Sequence, residues 1–344
     1  MGLLNSVACF RLIYRHRIFP NHTPFQLSWI FSIQRACLWA FGPLYGRLCD
    51  MYGPRVVIWP LVGTCAVQVF AMSLLQEYWY MMETQGILFG IAAGGVYTAS
   101  LVSMGQWFDR RLGLVAGIAA CGSSLGGIVY PLLLQCAMEQ ANFENAMQHT
   151  ALLIGIVLLP ALFLIKERLP ITGWNRNAKW FDLTLFRQRH YPYFIVGSFL
   201  TMWGYWAPID YIMEYALDSG SSPLFALLLL PSMSAASIPG HVIFGHLGDR
   251  LGHDAVLTLC SSGLGASYIL WVPLNYTQSA AGIFVFTLAF GFLSGGFISL
   301  LMPCVARLGS AETLGQRLGS FQFFMAIRSV FLTRDLVYNE KLGT

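Results

Sequence analysis

An all-α, polytopic membrane protein, built as a two-half helical bundle, is the fold class this sequence predicts, and three observations predict it. Of its 344 residues, 56% are hydrophobic and only 10% are charged, against roughly 25% charged in an ordinary soluble domain. Nine stretches are apolar over the roughly 20 residues that a bilayer crossing requires. A short polar turn also recurs: GRLCDMYGPR from Gly46 to Arg55 and GHLGDRLGHD from Gly245 to Asp254 share the skeleton G-x-L-x-D-x-x-G. One such turn is a weak signal. Two copies, 199 positions apart and each lying between apolar segments, mark two related halves.

The nine spans run 27–45, 56–75, 78–104, 112–138, 150–165, 193–215, 224–244, 255–272 and 280–305. The piece 2–14 is too short to cross and reads as the tail of a first helix, while 318–327 reads as the opening of an eleventh before Arg328 interrupts it. The expectation is an incomplete bundle, about nine full spans plus partial first and eleventh helices. Residues 1–165 form an N-terminal half with a truncated first helix, 166–191 a linker, 192–327 an incomplete C-terminal half and 328–344 an atypical polar tail.

Lysine and arginine set the orientation, because cytoplasmic loops retain them. With the Gly46 turn in the cytoplasm, that side holds Arg47, Arg55, Arg110, Arg111, Arg250, Arg307, Arg317 and the cluster Lys166, Arg168, Arg176, Lys179, Arg187 and Arg189. The other side holds Arg11, Arg15 and Arg17, and its loops otherwise carry acids: Glu77, Glu139, Glu144, Glu214 and Asp218. The N-x-S/T sequons at Asn21 and Asn275 fall outside as well, where both are candidates for glycosylation. The net charge of +4 is too small and too scattered to read as a nucleic-acid footprint. Eight dispersed cysteines with no C-x-x-C pair read as buried, inert thiols.

Each repeat turn has chemistry of its own. Gly46 and Gly245 permit close helix approach, Asp50 and Asp249 sit near a helix end, and Gly53 and Gly252 allow a sharp reversal. The pair resembles the loop signature of the major facilitator superfamily, although the basic residue that usually follows the aspartate is Met51 in the first copy and Arg250 in the second. In that family the first turn latches one side of the protein against the start of the eleventh helix, here expected near Leu318. The resemblance therefore implies a gating role for Gly46, Asp50, Gly53, Arg55, Gly245, Asp249 and Arg250. The run WFDRRLGLVAGIAACGSSLGGIVYP from Trp107, with PNHTPFQLSWIFSIQ and LLMPCVARLG, resembles the monocarboxylate-porter branch, particularly its fungal members. Within this run Asp109, Arg110 and Arg111 make a charged hinge, also assigned to gating. Gly113, Gly117, Gly122 and Gly126 line a close-packing helix face, as do the pairs Gly90 and Gly94, and Gly291 and Gly295.

Ionisable groups within spans are costly, which makes them candidates for function. Arg35 lies near mid-helix, roughly 13 Å from the outer end, where it would meet a carboxylate or a solute. Asp210 and Glu214 are spaced i, i+4 on one face. His241 stands where animal porters of the resembled branch have an arginine, and Ser237 stands where they have its acidic partner. Histidine carries protons near neutral pH. Gln85 and Tyr97 complete the set of candidate solute or proton residues.

No catalytic constellation, metal-ligand spacing or phosphate-binding loop is present, and no cofactor is implied, so the chain does not read as an enzyme. The resemblance implies a multi-pass protein of the plasma membrane that moves small organic solutes by alternating access, in the first instance monocarboxylate-like anions by symport with protons. Its partners are then the solute, protons and the lipid bilayer, with no nucleic acid. Export of a secondary metabolite is the alternative within the same class. A truncated, non-transporting membrane protein or sensor is the alternative outside it.

Overall fold

The computed structural model describes residues 1–74, 77–140, 142–170, 173, 180, 190–277 and 279–327, and these are helical with no strand among them. In chain order the helices are α1 (Val7–Ile13), α2 (Pro24–Ala40), α3 (Gly42–Tyr52), α4 (Pro54–Ala71), α5 (Tyr78–Met81), α6 (Gly90–Trp107), α7 (Leu112–Gln140), α8 (Phe143–Leu164), α9 (His190–Asp218), α10 (Pro223–Leu251), α11 (His253–Thr277), α12 (Ala280–Ala306) and α13 (314–327). A π-helical stretch, Met82–Phe89, joins α5 to α6, and another, Tyr14–Ile18, follows α1.

Local chemistry sets several of the boundaries. The Thr23 hydroxyl accepts from the Gln26 N–H at 3.3 Å while Gln26 Oε1 accepts from the Thr23 N–H at 3.0 Å, a capping box that opens α2 just before Pro24. Ser222 caps α10 by accepting from the Phe225 N–H at 3.3 Å. Gly53 closes α3 at φ 85° and Gly252 closes α10 at φ 102°. Pro54 and His253 begin the next helices at once. Side chains rarely tolerate that backbone region, so the second glycine of each repeat turn is required by the reversal it makes.

Six helices are long and apolar enough to cross a membrane among the described residues: Pro54–Ala71, Tyr78–Trp107, Leu112–Met138, Phe143–Leu164, Pro223–Leu251 and Ala280–Ala306. The expected spans 27–45, 193–215 and 255–272 are also helical, within α2 and α3, α9 and α11. Along α8, Leu152, Ile156, Leu159 and Phe163 recur at helical spacing and are 62%, 60%, 54% and 65% exposed. In water this arrangement is inverted. In hydrocarbon it is the expected outer face, because the backbone is satisfied within the helix and the side chains meet lipid.

The chain groups into two compact units, each drawing on early and late parts of the sequence. One comprises Met1–Leu12, Phe108–Gln135 and Leu200–Cys304; the other comprises Ile13–Trp107, Cys136–Phe199 and Val305–Thr344. In the first unit α10 packs on α11. It meets α12 and α7 backbone to backbone: a Cβ on Gly295 would stand 2.3 Å from the Ser237 carbonyl oxygen, and one on Gly117 2.3 Å from that of His241. In the second unit α4 packs against α6 and α8, and α2 against α6. Gly90 and Gly94 permit the last contact, since their Cβ positions lie 2.6 and 2.3 Å from the carbonyl oxygens of Gln34 and Leu38. Gly122 departs from the expected packing face, with nothing within 4 Å of its Cβ position. The glycine spacing is regular, but the neighbouring helix does not follow it there.

Asn21 is exposed in the turn before α2. The side chain of Asn275, the linker residues Arg176, Lys179, Arg187 and Arg189, and the tail 328–344 lie outside the described residues.

Candidate functional site

In the second unit, Asp50 in the last turn of α3 caps the beginning of α13. Its Oδ1 accepts from the Gly315 N–H at 2.8 Å and its Oδ2 from the Gln316 N–H at 2.7 Å. A helix start leaves N–H groups without intrahelical partners and carries partial positive charge, and a two-oxygen carboxylate meets both needs. Gly46, one turn earlier, makes the approach close enough: a Cβ there would stand 1.9 Å from the Gly315 carbonyl oxygen. The helix meeting Asp50 begins at 314 rather than near Leu318. Burial pushes the Asp50 carboxyl up to about 7, opposed by the N–H groups of Gln316 and Gly315 and by the charge of Arg317.

Arg317 is itself buried, and its guanidinium donates to the carbonyls of Val305 and Ala306, both at 2.9 Å, and to that of Ser310. It thus ties the end of α12 to α13 behind the carboxylate. Arg55 takes no part in this cap: it is exposed, with its guanidinium 5.8 Å from the Trp59 ring centroid.

The first unit repeats the arrangement with other residues. Asp249, near the end of α10, accepts from the Gly113 N–H through Oδ1 and from the Leu114 N–H through Oδ2, both at 2.8 Å, and so caps the start of α7. A Cβ on Gly245 would stand 2.5 Å from the Gly113 carbonyl oxygen. Where the first cap has an arginine in its field, this one has an imidazole in contact, His253 Nε2 lying 3.0 Å from Asp249 Oδ1. Arg250 is exposed, as are Asp109, Arg110 and Arg111 in the turn that leads into α7.

Between its helices the first unit has a partly open cavity of about 40 Å3, lined among others by Asn5, Tyr205, Ser234, Ser237, His241 and Ser294. His241 anchors a chain of hydroxyls. Its Nδ1 lies 2.7 Å from Ser299 Oγ and its Nε2 3.1 Å from Ser124 Oγ. Ser124 Oγ is in turn 2.6 Å from Ser237 Oγ, and Ser237 donates to the Ser234 carbonyl at 2.7 Å. Ser299 donates to the Gly295 carbonyl at 2.9 Å and Ser294 to that of Gly291 at 2.8 Å. Asn5 Nδ2 donates to Ser123 Oγ at 3.2 Å. None of the lining residues carries a fixed charge.

The remaining sequence candidates distribute differently. Arg35 is buried in α2, Gln85 is buried and accepts from the Tyr14 hydroxyl, and the Tyr97 ring stands edge-on to Trp39 at 5.6 Å, all three in the second unit. Asp210 is buried in the first unit. The cation on its helix face is Arg11, read from sequence as a loop residue but buried in α1, 3.7 Å from Glu214 Oε2 and 4.3 Å from the Tyr211 ring centroid. Sequence reasoning singled out Ser237 beside His241 but missed Arg317, His253, Ser124 and Ser299. Of these, only the i, i+4 spacing of Asp249 and His253 was a usable signal.

Comparison with known proteins places this geometry in a family. Residues 19–332 match the Major Facilitator Superfamily. The chain is 34% identical over 341 residues to the MFS-type transporter hasB of Aspergillus fumigatus (strain CBS 144.89 / FGSC A1163 / CEA10), covering 95% of this chain and 76% of that one. It is 28% identical over 329 residues to the Agnestins efflux protein AgnL12 of Paecilomyces divaricatus, covering 95% and 74%. Among solved structures, the proton:xylose symporter XylE bound to 6-bromo-6-deoxy-D-glucose superposes with a TM-score of 0.75 at 11% identity, over 99% of this chain and 87% of that one. An all-helical chain with bilayer-length apolar helices, matched to this family over most of its length, is thereby identified: it belongs to the Major Facilitator Superfamily, a family of multi-pass membrane transporters and not of enzymes.

Proposed function

We propose that the chain exports a small organic solute of the secondary-metabolite class across the plasma membrane, in exchange for protons, by alternating access. The observation that carries this reading is the pair of aspartate caps. Asp50 lies in 1–165 and its helix start in 192–327, whereas Asp249 lies in 192–327 and its helix start in 1–165. Two halves joined in this reciprocal way, with 166–191 as linker and 328–344 as tail, separate on one side only when both caps open. Gly46, Asp50, Gly53, Gly245 and Asp249 act as the gate, on the cytoplasmic side that the arginine distribution assigns.

His241 is the proton site of this proposal. The groups facing it are the hydroxyls of Ser124 and Ser299, and Tyr205 is the other titratable residue in the cavity wall. Asp210 follows the lining residue Ile209 on α9, and Cys121 of α7 donates to the Ile238 carbonyl one turn from His241. The name of the Agnestins efflux protein supports export. Monocarboxylate symport is the second reading, favoured by the cation of Arg35 buried in α2.

Vesicles containing the purified chain and an internal pH dye distinguish the two. Addition of 4-hydroxybenzyl alcohol against a pH gradient is expected to evoke proton movement that lactate does not, and His241→Gln is expected to abolish it. Proton movement with lactate alone would favour the monocarboxylate reading, and none with either solute would overturn both.

A further inference from the structure

The last carbonyls of a helix have no partner within it, and in the second unit two neighbouring helices end beside the Asp50 cap, α3 at Tyr52 and α6 at Trp107. The first linker residues reach both. The Arg168 guanidinium donates to the carbonyls of Gln106 at 2.6 Å and Trp107 at 3.2 Å, and the Trp107 indole N–H donates in return to the Lys166 carbonyl at 2.9 Å. Glu167 is therefore held from both sides. Its side chain lies over the first repeat turn, with Cγ 2.7 Å from where a Cβ on Gly53 would stand. Further on, the Gly173 N–H donates to the Met51 carbonyl at 3.2 Å, and the Arg47 guanidinium lies 4.1 Å from the Trp180 ring centroid. Each hydrogen bond here runs from a backbone, indole or guanidinium N–H to a carbonyl, so its direction is fixed.

We propose that Lys166, Glu167, Arg168, Gly173 and Trp180 form a strap on the first repeat turn, with Arg168 as a positioning residue for the Asp50 cap. Met51 follows Asp50 directly and Arg47 lies in the turn before it, so the strap grips α3 on both sides of the capping residue. The cap needs that grip. Asp50 must present one oxygen to each of two N–H groups, at 2.8 and 2.7 Å, and a small rotation of the last turn of α3 lengthens one of these contacts past bonding range. The strap also joins the cap to the rest of the unit. α8 ends at Leu164, two residues before Lys166, so a shift of α8 or α6 reaches the last turn of α3 through Arg168 and Gly173. Arg168 is exposed, and its place at the end of α6 is a favourable one for a cation. Its bonds therefore break without disturbing the apolar core. The gating role of the strap rests on the transport reading above; its hold on the cap does not.

The test uses the full chain in lipid nanodiscs and reads amide hydrogen exchange at both caps, Gly315 and Gln316 for the first and Gly113 and Leu114 for the second. Arg168→Ala removes the bonds to both α6 carbonyls, and Trp107→Phe keeps a ring while removing the indole N–H. Each is expected to quicken exchange at Gly315 and Gln316 roughly threefold to tenfold while Gly113 and Leu114 stay within about twofold of the parent. Arg168→Lys, which keeps the charge, is expected to restore part of the protection. Two variants that remove different bonds guard against one failing to fold, and the elution volume of each is checked against the parent. A general loss of stability would quicken both caps alike, and that result overturns the proposal, as does exchange at Gly315 and Gln316 that neither variant changes. Proton-linked flux in vesicles is a separate measurement. Selective quickening without flux leaves the strap standing and removes the transport reading, whereas flux with both caps indifferent to the variants does the reverse.

Discussion

The two repeat turns carry the same skeleton and make the same bond pattern, yet they are not equivalent. Asp50 and Asp249 each bridge two successive N–H groups at a helix start, at 2.7 to 2.8 Å. Behind the first stands Arg317, a fixed cation that also holds the end of α12. Against the second stands His253, a neighbour on the next helix whose Nε2 lies 3.0 Å from the Asp249 carboxylate. The first turn is also packed more tightly, at 1.9 Å against 2.5 Å between the glycine Cβ position and the facing carbonyl oxygen. A duplicated motif thus fixes the capping geometry, while the residues around each carboxylate decide how firmly the cap is held.

The asymmetry predicts an order of effects. Gly46→Ala should be the most damaging, at about 3 kcal/mol, because its clash is with backbone and cannot be relieved by a rotamer change. Thermal unfolding of purified variants should place it below Gly245→Ala, and the reverse order would break the comparison. Asp50→Asn and Asp249→Asn should each cost about 2 kcal/mol, since the amide turns a donor toward one of the two backbone N–H groups. Hydrogen exchange should quicken at Gly315 and Gln316 in the first variant and at Gly113 and Leu114 in the second.

His253→Ala should loosen only the Gly113 and Leu114 amides, by about 1 kcal/mol, the size of one hydrogen bond. The pH response should single out the other turn. The capped Asp50 carboxyl lies well above its ordinary 3.8, at about 7, so between those values the capped state holds a proton that the opened turn releases. Raising the pH through this window should therefore weaken the first cap, seen as faster exchange at Gly315 and Gln316 after correction for the intrinsic rate. Arg55→Ala should move stability least, within about 0.5 kcal/mol, because its guanidinium lies on the surface beside Trp59.

What the sequence made legible was periodic or repeated. Apolar runs of bilayer length, the two turns, and the glycines at positions such as Gly94 and Gly295 follow from local pattern and reappear as helices, caps and close contacts. The partners were not legible to the same degree. Asp50 meets residues 265 and 266 positions away, and no local rule identifies which helix start fills a given carboxylate. Arg317 reads as a loop cation and is buried, because its guanidinium donates to four backbone carbonyls. Arg11 reads as a loop cation for a similar reason, its partners Tyr211 and Glu214 lying about two hundred residues on. Ser124 and Ser299, the serines in contact with His241, carried no signal, since a serine in an apolar helix commonly bonds only its own backbone.

The most direct test of the central claim, that the two caps gate proton-linked solute movement, is solute-evoked proton flux in vesicles containing the parent chain, Asp50→Asn or Asp249→Asn, with 4-hydroxybenzyl alcohol as solute. The account predicts flux in the parent and a loss of roughly tenfold or more in each variant, the rate equivalent of about 1.4 kcal/mol. Undiminished flux in both variants would contradict it.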